Sequence, residues 1–408
     1  MGAVERPPPG VTVDATTTVI ESNTSVPEMQ IWGEDAHACW LELEARGPIV
    51  PIGFQKMVTT AAAIDEVLHD PARFSSNPDA VYLGSDTGLI PLQVDPPDHV
   101  RYRRMLDPLF TPRKMVQLED EVAALVNQCI DGFIERGDCD FSEEVAVPVP
   151  SGTFLRLMGL PLDRLDEFLR VKDDLIRPSG TGTEQDAKRA YAAKWVFALY
   201  GEALDARQRQ QADDLTTHFV GLEDAGELTR EESLNICHLL FIAGLDTVTD
   251  TLECSFAFLG RHPDHRRQLV DDPALVPHAV EELLRFESPV PAIARVATAD
   301  TELVGCPVHK DDKIGVLLAN ANLDPAVFPD PLTVDFRREA NRHVSFGAGV
   351  HRCLGSHLAR MELRVVMREW QRRIPEYRIP DGHVLRYSPS LREIRHLPLE
   401  FSPGRRER

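Results

Sequence analysis

Apolar residues recur every three or four positions along most of the chain and alternate with polar ones along only a few short stretches. The first spacing marks one face of a helix, the second a strand. Together they predict a mainly α protein with a smaller β-rich part. Helices are expected over 35–46, 61–69, 114–136, 152–176 with a break near Gly159-Leu160-Pro161, 183–211 and 277–286, and from Gly355 to about Arg373. Alternation around Gly53 predicts strand material over 49–58, and 289–297, 302–308 and 312–318 read as further strands. Thr229-Arg230-Glu231-Glu232 fits a capping box, in which hydroxyl and carboxylate satisfy each other's backbone N–H groups. The run it opens reaches Gly260 without a proline, roughly 45 Å if wholly helical, enough to span a domain.

Two connections interrupt this pattern. Residues 75–94 are rich in Gly, Ser, Asp and Pro, and a loop that long in a compact domain is functional or mobile. Pro178-Ser179-Gly180-Thr181-Gly182-Thr183 is a flexible joint between two helices. Residues 1–25 are polar and Pro/Thr-rich and are expected to be a disordered tail. No repeat or composition break divides 26–408, so a single domain is expected there.

Composition narrows the function classes. The 408 residues are 43% hydrophobic, enough for a sizeable core. A charge of −21, from 44 basic and 65 acidic residues, argues against nucleic acid and anionic membranes as general partners. It leaves room for a local basic patch. Seven scattered cysteines form no C-x-x-C pair, which suggests neither a disulfide framework nor a zinc ribbon, and implies a reducing, cytoplasmic setting. No apolar run of about eighteen residues is present, so no membrane anchor is expected, and the first ten residues lack a signal peptide's apolar core.

Chemistry concentrates in Phe346-Gly347-Ala348-Gly349-Val350-His351-Arg352-Cys353-Leu354-Gly355. Glycines permit close backbone approaches, and a helix N-terminus favours a thiolate. A cysteine in such a loop is suited to hold a metal, or is a buried free thiol in a turn. His351, Cys353 and His357 lack the closed ligand set of structural zinc. In Ala243-Gly244-Leu245-Asp246-Thr247, three poor helix formers sit at the centre of the long run, a compromise that points to function. His99 and Arg103 share one helical face behind Asp95-Pro96-Pro97, and Glu282 and Arg285 share another. Alone, each pair also fits an ordinary solvated surface.

These four motifs, in this order, resemble those of the cytochrome P-450 family, over about residues 30–402. The cysteine loop matches F-G-x-G-x-H-x-C-x-G at every position, the helix centre matches A/G-G-x-D/E-T, and Glu282-Leu283-Leu284-Arg285 matches E-x-x-R. The resemblance implies the family fold, with haem b between a long central helix and the cysteine loop. It implies a haem-thiolate monooxygenase with Cys353 as the iron ligand and Phe346 and Gly355 shaping its loop. His99, Arg103, Arg295 and His351 are then partners of the haem propionates. Asp246 and Thr247 are a proton-delivering acid–alcohol pair, and Ala243 and Gly244 leave room for O2. That pair sets the chain apart from peroxide-driven relatives and from a non-catalytic binding module. Glu282 and Arg285 are structural, with Arg338 as third partner and Arg337 the weaker candidate.

The residues that fall at the family's substrate pocket, Leu89, Leu239, Ile242, Ala243, Val290, Ile293 and Leu391, are all apolar, so an apolar small molecule is expected. Gly244 to Val248 and Leu397-Pro398-Leu399 look closest to terpenoid hydroxylases such as the camphor enzyme. Thr87 stands where that enzyme has a tyrosine, which speaks against camphor itself and leaves steroids, fatty acids and aromatic ethers open. Electrons are expected from a ferredoxin and its NAD(P)H-dependent reductase, with Arg101, Arg104, Arg113, Lys114 and Arg352 as a candidate landing patch. Asp311 replaces a frequent turn glycine and Leu323 a frequent arginine.

Overall fold

Where the 3.6-residue spacing is cleanest, the helices form as expected. In the computed structural model, which describes residues 31, 33–34, 36–83, 88–388 and 391–407, Ala61–His69 and Ser356–Arg373 are helical over the expected spans. The expected tail at 1–25 and Thr87 lie outside the described residues. The stretch 152–176 divides where expected: Pro148–Met158 ends on Gly159 in the left-handed conformation, and Leu165–Ile176 follows. Thr183–Arg209 forms the long helix beyond the glycine joint.

The β-rich part is a five-stranded mixed sheet. Ile49–Ile52 and Gln55–Val58 form an antiparallel hairpin turning at Gly53. Gln55–Val58 lies parallel to Lys313–Val316, which pairs antiparallel with Ile293–Ala297; Phe74–Ser75 closes the edge. The expected strand at 302–308 is a small separate hairpin, Thr301–Leu303 with Cys306–Val308. Asp311 has φ +68°, so the turn usually given to glycine survives with an aspartate. The expected strand over 312–318 is too long. It ends at Val316, and Leu318–Leu323 is a buried helix. Asn320 and Asn322 drive the change by reaching partners on two sides, the Trp40 carbonyl and the hydroxyls of Ser288 and Ser345.

The central run also departs from expectation. The Thr229–Glu232 capping box is present, but the run is two helices, Arg230–Gly244 and Thr247–Arg261. Leu245 and Asp246 leave the helical path between them, with Asp246 at φ −133° and ψ −59°. Gly244 is a weak helix former and Asp246 is drawn sideways into ion pairs with Lys172 and Arg177.

Two large apolar clusters flank this broken helix. One gathers Phe141, Phe256 and Trp370, the other Phe168, Tyr200 and Phe241, and Leu358 packs against both. Beneath them a polar brace fixes the chain leading to the cysteine loop. Arg285 uses all five N–H groups, two on Glu282 at 2.7 and 2.8 Å and three on the carbonyls of Asn322, Pro331 and Thr333. Glu282 also accepts from Arg338 Nε at 3.2 Å, from Asn341 and from the Asp335 N–H. Arg337 instead points to solvent, 3.4 Å from Asp272.

Both partners of the Glu282–Arg285 pair are fully buried, so removing one leaves a lone charge, which costs roughly 3–5 kcal/mol. Arg285→Ala is expected to accumulate as insoluble or haem-free protein, read from the ratio of haem absorbance to protein. A stable, fully haem-loaded but inactive variant would contradict a structural role.

Candidate active site

The cysteine loop is built on close backbone approaches. Gly349 has φ +65°, and a Cβ there would lie 2.2 Å from the carbonyl oxygen of Leu68, so only glycine fits. The Cys353 N–H donates to the Phe346 carbonyl at 2.8 Å. The Phe346 ring lies under Arg360 at 4.4 Å, and Arg360 pairs twice with Glu281 at 2.7 Å. Gly355 meets no steric need for glycine; its contribution is the N–H it donates to the cysteine sulfur.

Cys353 is the exposed one of the seven cysteines, yet burial pushes its thiol up. The sulfur is therefore both deep and accessible, the position of a group facing an interior space. Burial outweighs the Gly355 N–H and the arginines Arg103, Arg352 and Arg360, all of which favour the thiolate. The loop alone does not ionise the thiol. A metal cation would, because coordination removes the proton.

Around Asp95 the expected basic residues come together. The His351 ring stands 3.1 Å from the Ser76 hydroxyl, 3.7 Å from Asp95, and 4.4 Å edge-on from the His99 ring. Burial tends to raise the Asp95 carboxyl, but hydrogen bonds from His351, Ser75 and Ser76 outweigh it and hold the group down at about 2. His99 is buried and its Nε2 has no partner among the described residues. Burial, and then His351 and Arg103, hold it down at about 4, so the ring is neutral at pH 7. Arg295 is buried with one hydrogen bond, to the Ala294 carbonyl at 2.7 Å, and burial lowers it to about 10. Arg103 donates to the Arg352 carbonyl at 2.9 Å, next to Cys353, and pairs with Asp107. An under-satisfied guanidinium and an orphaned ring nitrogen are each suited to an anionic partner. They fit the carboxylates of haem, as the accessible thiol fits its iron.

Across the core, the helix Arg230–Gly244 presents Leu239 and Ala243 one turn apart, and Ala243, in its last turn, is exposed. Thr247 starts the next helix, its hydroxyl 3.3 Å from the Ala243 carbonyl. Asp246 is buried, and its Oδ1 accepts from Lys172 Nζ at 2.7 Å and Arg177 Nη2 at 2.9 Å. Neither cation was expected from the sequence. Both sit some seventy residues away, at the end of the helix that precedes the glycine joint. A Cβ on Gly244 would lie 2.3 Å from the Phe154 ring, so its missing side chain makes room for packing.

The pocket residues are brought together in part. Leu239, Ile242 and Ala243 share one helix, and the loops holding Val290 and Leu391 are joined by the Arg392 N–H to Pro289 carbonyl bond at 3.0 Å. Ile293 packs against the sheet core, and Leu89 is fully buried, so Leu89 offers no accessible wall. Arg101, Arg104, Arg113, Lys114 and Arg352 are all exposed, and Arg101 also pairs with Glu232 at 2.6 Å.

Fold and site define a haem-binding oxygenase, and comparison with known proteins agrees. The family model described as Cytochrome P450 matches residues 176–370. The chain is 37% identical over 330 residues to "Probable cytochrome P450 127A1" of Sinorhizobium fredii, covering 80% of this chain and 78% of that one. It is 33% identical over 357 residues to the "Steroid C26-monooxygenase" of Mycobacterium tuberculosis, covering 85% of this chain and 94% of that one. The structure of P450BioI in complex with an acyl-carrier-protein-ligated fatty acid superposes with a TM-score of 0.84 at 28% identity, over 90% of this chain and 99% of that one. The chain belongs to the cytochrome P450 family. It is a monooxygenase with haem b as cofactor. No described helix is long and apolar enough to cross a membrane.

Gly244→Ala separates packing from helix propensity. Alanine is the better helix former by ~1 kcal/mol, whereas overpacking against Phe154 costs about 1–3 kcal/mol. A net loss of stability is expected in denaturant titration of the holoprotein. Unchanged or raised stability would show that Phe154 yields and that the glycine is not a packing residue.

Proposed function

We propose that the chain is a cytoplasmic haem-thiolate monooxygenase that hydroxylates an apolar, terpenoid-like molecule, with electrons from a ferredoxin and its NAD(P)H-dependent reductase. The observation that carries this reading is Cys353, accessible yet deep, on the core that also packs the broken helix. Cys353 is the iron ligand. His99, Arg103, Arg295 and His351 bind the haem carboxylates, with Arg295 and His99 gaining the anionic partner they lack. Haem bound there supplies O2 activation, with the thiolate donating electron density in favour of O–O cleavage.

The chain's own part is to hold substrate and move protons. Ala243 keeps the helix surface low beside the oxygen site, and Leu239, Ile242, Val290, Ile293 and Leu391 favour an apolar substrate by excluding water. The Thr247 hydroxyl holds a proton at the break in the helix, and Asp246 supplies it from behind. Since Lys172 and Arg177 grip Asp246, any movement of the 178–182 joint alters that supply. The exposed Arg104, Arg113, Lys114 and Arg352 are the docking patch for an acidic ferredoxin. A sterol substrate is the second reading, favoured by the relative named for steroid C26 oxidation.

Thr247→Ala and Asp246→Asn test the proton route. With ferredoxin, reductase and a converted substrate, Thr247→Ala is expected to consume NADH near the wild-type rate while most of the reducing equivalents appear as hydrogen peroxide. Asp246→Asn is expected to slow turnover as a whole, by roughly 10²-fold or more. Wild-type coupling in Thr247→Ala would remove its hydroxyl from the mechanism.

A further inference from the structure

One turn beyond Asp246 lies a carboxyl group that none of these roles uses. Asp250 is fully buried, and both of its oxygens lack a hydrogen-bond partner among the described residues. The Oδ2 of Asp246 is also buried and unpartnered. One carboxylate oxygen each from Asp246, Asp250 and Glu393 lies within 4.8 Å of the others. Three acceptor oxygens here lack a partner among the described residues, as do Nε and Nη1 of Arg177, whose Nη2 serves Asp246 and Glu393; carboxyl groups buried this close together cost free energy unless one carries a proton.

The charges around them decide which. Lys172 pairs with Asp173 and Asp246, Arg177 with Asp173, Asp246 and Glu393, and Arg395 with Asp173 and Glu393. Three cations thus match three anions. Asp250 and Glu253, the two acids on the helix Thr247–Arg261 that face this group, are in excess of these cations and form no ion pair among the described residues, although Arg177 keeps Nε and Nη1 unpartnered. Glu253 accepts the Ile394 N–H at 2.7 Å and interacts with Ser142, which leaves Asp250 as the unpartnered acid beside Asp246, one carboxylate oxygen of each lying within 4.8 Å of the other. Burial, then Asp246 and Glu253, push Asp250 well above the usual carboxylate range, only partly opposed by Arg177.

We infer that Asp250 is a neutral carboxylic acid that hydrogen-bonds the free Oδ2 of Asp246, directly or through one water, and resupplies Asp246 with protons. The inference rests on the reading of Asp246 given above. When Asp246 gives its proton to the oxygen site, the Asp250 O–H transfers its proton to Asp246. Asp250 regains one from solvent water by way of Glu393, beside the half-exposed Arg395. One proton enters from water for each one delivered, and no electrons move. Asp250 acts through Asp246 and is a positioning residue, not a catalytic one.

The test compares holoenzyme with Asp250 and with Asp250→Asn, an isostere of the neutral acid that donates a hydrogen bond but cannot release a proton. Asp250→Ser serves if the asparagine variant does not accumulate. The difference infrared spectrum, wild type minus variant, is expected to show the carbonyl stretch of one protonated carboxylic acid, shifted in D2O and persisting near pH 7. Stability follows the same sign. A carboxyl raised in the folded state stabilises most below its unfolded value of about 3.9, and that contribution is lost as pH rises. The wild-type folded-to-unfolded ratio is therefore expected to fall with pH more steeply than the variant's, by up to about tenfold per pH unit. Turnover of the variant is expected to drop about tenfold with a changed pH profile and a larger solvent isotope effect.

Absence of the carboxylic band, or equal destabilisation at every pH, overturns the inference by making Asp250 a charged structural group. A protonated Asp250 whose removal leaves turnover and its pH profile unchanged also overturns it. The infrared and stability readouts need no oxygen chemistry. If wild type forms no product with any reductant, the functional reading fails while those two results still judge the protonation of Asp250.

Discussion

The structure depends on one buried charge that has no freedom left. Arg285 is enclosed with all five of its N–H groups committed, to Glu282 and to three carbonyls between Asn322 and Thr333. A buried guanidinium is costly unless every donor is met, and meeting them fixes the backbone that supplies the acceptors. That backbone leads into the cysteine loop. Asn322 continues the constraint by bonding the Val344 N–H and the Ser345 hydroxyl, and Glu281 holds both His343 and Arg360. The position of Cys353 is thus set by a chain of polar contacts beginning two helical turns into Val276–Glu287. Apolar packing alone would leave such a loop free to slide.

Two electrostatic regions of opposite character lie on the two sides of the site. Around Asp95, Arg295 has no carboxylate hydrogen bond and His99 has a free ring nitrogen among the described residues, while His351 faces Asp95. Around Asp246 the acids outnumber the cations, and burial pushes Asp250 and Glu253 well above the usual carboxylate range. On the proposed reading, the first region receives the haem carboxylates and the second stores protons. Low dielectric makes both arrangements effective, because the same charges in water would be screened to little. A whole-chain charge of −21 reveals neither.

The sequence made local features legible. The capping box at Thr229, the end of a helix at Gly159 and the left-handed turn at Asp311 each depend on a few adjacent residues, and each is present. The Glu282–Arg285 pair was legible from spacing alone, though its burial and its carbonyl partners were not. What stayed hidden is long-range. The helix break at Leu245–Asp246 follows from the pull of Lys172 and Arg177, which belong to a different helix. The steric need for Gly244 follows from Phe154, ninety positions earlier. The pairing of Arg101 with Glu232, on another helix, arises only when the chain folds. Periodicity carries no record of such meetings, since each partner alone looks like an ordinary polar or aromatic residue.

The central claim is that Cys353, held by this brace and reached through the interior, binds the haem iron as a thiolate. The most direct measurement is the visible spectrum of the reduced protein under carbon monoxide, for wild type and Cys353→His. Wild type should give the red-shifted band of thiolate-ligated haem, and Cys353→His should retain haem while losing that band. Survival of the band in Cys353→His, or its absence from a fully haem-loaded wild type, would contradict the assignment.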